Sequence, residues 1–127
     1  MKTTNKKGFT LIEVLTVMVI IGIILALVLP NIIKAIEQGN ITEYQSDLRS
    51  ITSAAFMCFT EKRTWAAPCD DPATLLTEEF LTSVPVNPLS SGGAYRLEAQ
   101  SSGALIACVP TQPVLANGTA LNRCVQY

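Results

Sequence analysis

Lys6-Lys7-Gly8-Phe9-Thr10-Leu11-Ile12-Glu13-Val14-Leu15 is the stretch that decides the fold. A short basic leader ends at Gly8, and an apolar run begins at Phe9. From Phe9 to Leu29 the only charged residue is Glu13. A helix of about 21 residues at ~1.5 Å each spans roughly 31 Å, the thickness of a bilayer core. A carboxylate there opposes insertion, by about 2.5–3.5 kcal/mol at a helix centre, and an acid in such a place calls for a partner. Lys6 and Lys7 place the leader on the cytoplasmic side and the rest of the chain across the membrane. The apolar run exceeds the ~7–15 residues of a secretory signal, and no small-residue cleavage site follows it. An uncleaved signal anchor satisfies the hydropathy, but it has no use for Glu13.

These residues closely resemble the class III signal and N-terminal helix of type IV pilins and type II secretion pseudopilins. Across Gly8–Leu15 the resemblance has no departures. It implies cleavage between Gly8 and Phe9 by a prepilin peptidase, with methylation of the new amine on Phe9. It implies that Glu13 pairs with the Phe9 amine of a neighbouring subunit during assembly. It also implies that the segment between Gly22 and Pro30 loses helical order in an assembled fibre. Without that resemblance, Pro30 reads as a mild kink, since proline removes one helical hydrogen bond and crowds the preceding turn.

The helical signal continues beyond Pro30. Ile41, Tyr44, Leu48, Ile51, Ala55 and Cys58 recur every three or four residues and define one apolar face. Glu43, Asp47, Arg49 and Ser50 occupy the other. The expected organisation is a leader over 1–8, a membrane and assembly helix over 9–29, an amphipathic helical half over 30–59, and a globular head over 60–127. The fold class is α+β: a long N-terminal helix packed on a small antiparallel sheet, the pilin layout.

The head holds six of the seven prolines. Asp71-Pro72 reads as an N-cap followed by proline at the first helical position, with a short helix or turn through Leu75–Leu81. Val84-Pro85-Val86-Asn87-Pro88 is extended or turning. Ser90-Ser91-Gly92-Gly93 is a turn, followed by strands over Ala94–Ala99, Leu105–Val109 and Leu121–Tyr127. Gly103 and Asn117-Gly118 turn the chain between the strands. The segment Val84–Pro88 leading to Tyr95 also resembles the V-P-x-D/N-P segment of pilins and pseudopilins.

Cys58, Cys69, Cys108 and Cys124 suggest a disulfide framework in a small translocated domain. Three pairings are open. The short-range choice joins Cys58 to Cys69 and Cys108 to Cys124, each loop contributing about 3 kcal/mol in the chain-entropy model. Cys108 and Cys124 resemble the pair that closes the C-terminal loop of many type IV pilins. The chain has no histidine and no C-x-x-C, so no metal or cofactor is expected.

Catalysis finds little support. The usual general base is missing, and no G-x-S-x-G, P-loop or G-x-G-x-x-G occurs. The net charge is −1, and removing Lys2, Lys6 and Lys7 with the leader makes it −4, so there is no bulk attraction to nucleic acid. Lys62, Arg63 and Trp65 form a small basic-aromatic cluster, a weak candidate for DNA contact. Residues after Glu98 include no acid, so the C-terminal calcium site of major pseudopilins does not carry over.

The reading is a type IVa-like pilin, a structural subunit of a homo-oligomeric helical filament with other pilins as partners. It is single-pass in the inner membrane before assembly and part of an extracellular pilus afterwards. The prepilin peptidase and the inner-membrane assembly platform are its implied partners. The alternatives are a minor pilin for DNA uptake or adhesion, and a type II secretion pseudopilin.

Overall fold

The computed structural model describes residues 8–125. Its elements are α1 (Leu11–Lys62), α2 (Pro72–Thr77), a 3₁₀ turn (Ser90–Gly92), β1 (Arg96–Ala99) and β2 (Leu105–Cys108). The chain divides into two compact units, Met1–Ile36 and Glu37–Tyr127.

Helix α1 continues through Gly22, Pro30 and Gly39. It ends three residues beyond the expected Phe59. Arg63 turns left-handed there (φ 57°), and its N–H donates to the Phe59 carbonyl at 2.8 Å. That is the closing bond of a left-handed helix cap, here without the usual glycine.

Within the second unit, the α1 residues Tyr44, Leu48, Ile51, Ala55 and Cys58 are buried, as their spacing predicts, and Ile41 is half-buried. Asp47 departs from its expected solvent face. It is half-buried and accepts the Tyr95 hydroxyl at 3.0 Å. Tyr95 stacks on Tyr44, ring centroids 6.0 Å apart. The Tyr44 hydroxyl donates to the Asn122 carbonyl at 2.8 Å, tying the helix to the C-terminal segment.

Helix α2 starts as Asp71-Pro72 predicts, with the Asp71 carboxylate accepting from the Ala73 N–H at 3.3 Å. It stops at Thr77 rather than running to Leu81. Glu79 takes φ 63°, and the Phe80 and Leu81 N–H groups both fold back onto the Leu75 carbonyl.

Strands β1 and β2 pair antiparallel, with Arg96 opposite Cys108 and Ala99 opposite Leu105. Both are shorter than expected. A third strand does not form among the described residues, and Gln126 and Tyr127 lie outside them. Arg123–Val125 instead pairs briefly with the end of β2: Val109 N–H to Arg123 O at 2.9 Å, and Val125 N–H to Ala107 O at 3.1 Å. The preceding residues are held elsewhere, since the Leu121 N–H bonds to the Pro113 carbonyl at 2.8 Å.

The most consequential polar contact between helix and sheet comes from Thr52, which is 4% exposed. Its hydroxyl donates to the Leu48 carbonyl at 2.8 Å and accepts the Ala107 N–H at 2.9 Å. The hydroxyl thereby satisfies an amide of β2 that would otherwise be buried without a partner.

The Val84–Pro88 segment is fixed by Asn87. Its side-chain amide donates to the Gly93 carbonyl at 2.8 Å, and its oxygen accepts the Leu89 N–H at 2.9 Å. A Cβ on Gly92 would sit 2.7 Å from that amide nitrogen, which explains the glycine.

Two outcomes follow. Thr52→Val lowers head stability by about 1–3 kcal/mol, because the Ala107 amide loses its acceptor, and Thr52→Ser restores most of it. The denaturation midpoint of the detergent-solubilised chain, read from the single tryptophan, Trp65, measures this. Secondly, burial pushes the Tyr44 phenol up to about 12. Burial raises Tyr95 as well, helped by its bond to Asp47. Both shifts favour the protonated phenol in the folded state. The head is therefore at full strength below the unfolded value of about 10 and weakens as pH rises from there through about 12. Tyrosinate absorbance against pH, with Tyr44→Phe as comparison, checks it.

Candidate functional site

The first candidate is the N-terminal segment. Residues 1–7 of the expected leader lie outside the described residues. Gly8, Phe9 and Thr10 are exposed and precede the helix. From Leu11 to Leu29 every side chain is exposed, and the span is long and apolar enough to cross a membrane. Sixteen exposed apolar side chains in water have no counterpart in a soluble monomer, so this surface requires lipid or protein around it.

At its start the structure shows a motif that the sequence reading passed over. Thr10 and Glu13 form a reciprocal capping box. The Glu13 carboxylate accepts the Thr10 N–H at 2.8 Å and the Thr10 hydroxyl at 2.9 Å, and the Glu13 N–H reaches the Thr10 hydroxyl at 3.4 Å. The signal was legible as T-x-x-E immediately before an apolar run. In this isolated chain the lone acid of the apolar span therefore has a local partner. Helix N-terminal N–H groups also favour negative charge at that position.

Gly22 and Pro30 lie within continuous helix, and nothing packs within 4 Å of a Cβ placed on Gly22.

The second candidate is the loop between α1 and α2. Cys58 and Cys69 are joined by a disulfide, and both are fully buried. The loop it closes carries Lys62, Arg63 and Trp65, but the three do not form a basic platform. The Lys62 ammonium lies 3.0 Å from Glu78 and 3.7 Å from Glu61. The hydrogen bond and charge of Glu78 raise its pKa, which marks its charge as locally compensated. Trp65 stacks flat on Phe59 with centroids 4.2 Å apart. Of the two cations in this loop, Arg63 has no ion pair among the described residues.

Cys108 and Cys124 form the second disulfide, which joins β2 to the C-terminal segment. Glu98 lies close to both sulfurs. With the sulfurs bonded to each other, no thiolate remains to bind a metal. Glu98 instead bridges two arginines, Arg96 and Arg123.

Residues 3–29 match the prokaryotic N-terminal methylation motif. The type II secretion system core protein G of Pseudomonas aeruginosa is 39% identical over 57 residues, covering 45% of this chain and 40% of that protein. The type IV major pilin protein PilA of Myxococcus xanthus is 39% identical over 58 residues, covering 46% of this chain and 26% of that protein. Core protein G of Escherichia coli is 29% identical over 104 residues, covering 81% and 72%. The chain spans about two-fifths of the length of the Pseudomonas relative. No solved structure matches it. The chain thus carries the class III prepilin N-terminus. It is similar to both type IV pilins and type II secretion pseudopilins.

Proposed function

We propose that this chain is a structural subunit of a type IV pilus filament, with no catalytic role. The observation that carries the reading is the exposed apolar helix from Leu11 to Leu29, whose one acid sits in a capping box at its start. A prepilin peptidase cuts between Gly8 and Phe9, and the new amine on Phe9 is methylated. The helix resides in the inner membrane until the assembly platform moves it into the fibre. There, neighbouring helices replace lipid around it. Glu13 leaves Thr10 and pairs with the Phe9 amine of the next subunit, so that its charge is compensated away from water. Helix flexibility between Gly22 and Pro30 accommodates stretching.

The disulfide-closed segment ending at Cys124 and the lack of acids after Glu98 favour a pilus subunit. The second reading, a secretion pseudopilin, is favoured by two of the relatives described above, both core protein G. A minor pilin that takes up DNA has less support, since Lys62 is paired with Glu78 and Trp65 is stacked on Phe59.

Glu13→Ala is expected to leave membrane insertion intact and to abolish or sharply reduce incorporation into filaments, measured in sheared and membrane fractions. Normal fibre yield from this variant contradicts the mechanism. Gly8→Leu is expected to leave an unprocessed precursor by intact mass. A mature-sized product contradicts the assigned cleavage.

A further inference from the structure

An asparagine side chain is reactive when the next backbone nitrogen can reach it, and the six asparagines of this chain differ sharply in that respect. Asn5 lies outside the described residues. Asn31 and Asn40 sit inside α1, each followed by isoleucine. The next amide is committed to the helical ladder there, and a β-branched neighbour crowds it. Asn87 precedes Pro88, whose nitrogen carries no proton. Both ends of its carboxamide are also bonded, to Gly93 and Leu89. Asn122 is followed by the large side chain of Arg123. Asn117 alone precedes a glycine.

Asn117 and Gly118 form the tip of a turn in which residues 116–120 are all exposed. The Leu115 N–H donates to the Thr119 carbonyl at 2.9 Å, and the Gly118 N–H donates to the Leu115 carbonyl at 2.9 Å. Gly118 takes the left-handed backbone that such a turn needs, with φ 83°. Nothing beyond its chain neighbours lies within 4 Å of the position a Cβ would take there. The Asn117 carboxamide oxygen accepts the Thr119 N–H at 2.9 Å. That bond folds the side chain back along the Gly118 peptide. It also draws electron density from the carboxamide carbon. The carbon is thus close to the Gly118 nitrogen, electrophilic and open to water. The hydrogen bond of the Gly118 N–H restrains that nitrogen, but a bond at an exposed turn tip opens far more readily than one in the core.

We propose that Asn117 is a site of spontaneous deamidation in the folded chain, which turns a neutral loop into an anionic one with time. The Gly118 nitrogen gives its proton to hydroxide and attacks the Asn117 carboxamide carbon. The new C–N bond closes a succinimide ring. The carboxamide C–N bond breaks, and its nitrogen leaves as ammonia with a proton taken from water. Water then adds to either ring carbonyl and opens the ring. One opening gives aspartate in the original backbone, and the other gives isoaspartate, with an extra methylene in the main chain. The net reaction consumes water, releases ammonia and needs no oxidant or reductant. From Ala99 to Asn122 the sequence contains no charged residue, so the new carboxylate is the first charge on that stretch. The stretch includes most of the loop closed by the Cys108–Cys124 disulfide. An aged head therefore presents a negative loop where a new head presents a neutral one, which repels acidic partners and attracts basic ones.

The test uses the full chain in detergent with both disulfides formed, incubated under mildly alkaline conditions and sampled over time. Fragment-ion mass spectrometry reads the amide-to-acid increment at each asparagine. An isoaspartyl carboxyl methyltransferase with a labelled methyl donor reads the isoaspartate. Conversion at Asn117 is expected to run about tenfold faster than at Asn122, a barrier difference of about 1.4 kcal/mol, with isoaspartate among the products. Asn117→Gln is expected to remove most of the acidic form seen on isoelectric focusing, because the longer side chain must close a larger ring. An Asn117 that stays an amide overturns the proposal; conversion of a free peptide spanning Leu115–Leu121 over the same period then shows that the fold protects the site. Equal rates at Asn117 and Asn122 overturn it as well. So does an acidic form that accumulates from Asn117→Gln at the wild-type rate.

Discussion

Glu13 sets the terms for everything that surrounds it. It is the one charged side chain in a helical span that is otherwise apolar from Leu11 to Leu29 except for Thr16, whose hydroxyl bonds back to the Ile12 carbonyl. Such a helix is comfortable in lipid or among its own kind, but an acid in it must be partnered. Thr10 supplies a partner within the same chain, through its amide and its hydroxyl. That arrangement is satisfied without any other subunit, yet it engages only neutral donors. A cationic amine is a stronger partner, since charge-assisted hydrogen bonds are about twice as strong as neutral ones. In the proposed filament, the capping box and the intersubunit pair are two answers to one constraint, and assembly would exchange the first for the second.

The head answers a different constraint, that of size. It has a two-stranded sheet and two small clusters of buried residues. A core this small supplies limited stability, and small domains commonly add covalent links. Here the Cys58–Cys69 bridge pins the end of α1 to the segment before α2, and the Cys108–Cys124 bridge ties the C-terminal segment to β2. Polar contacts complete the assembly. Thr52 and Tyr44 each bind backbone groups more than fifty residues away in sequence.

How much of this was legible depends on whether the signal was local. The apolar span and the face from Tyr44 to Cys58 could be read because helical period is a property of neighbouring residues. Asp71-Pro72 announced the start of α2 for the same reason. The ends of both helices were harder, because Arg63 and Glu79 adopt left-handed backbone where glycine is usual. Thr52 carries no local signal, since its acceptor role exists only once β2 lies against it. Asp47 was assigned to solvent because its partner, Tyr95, is 48 residues distant. The expected third strand was cut short because Leu121 is committed to Pro113 and only Arg123–Val125 reaches β2. The Thr10–Glu13 box was local and could have been found.

The central claim is that this chain polymerises through its N-terminal helix after losing its leader. Mass spectrometry of filaments sheared from cells that express it at its natural level tests this most directly. The account predicts an abundant chain beginning at a methylated Phe9, with both disulfides intact. Filaments in which this chain is absent, or present only with residues 1–8 attached, contradict it.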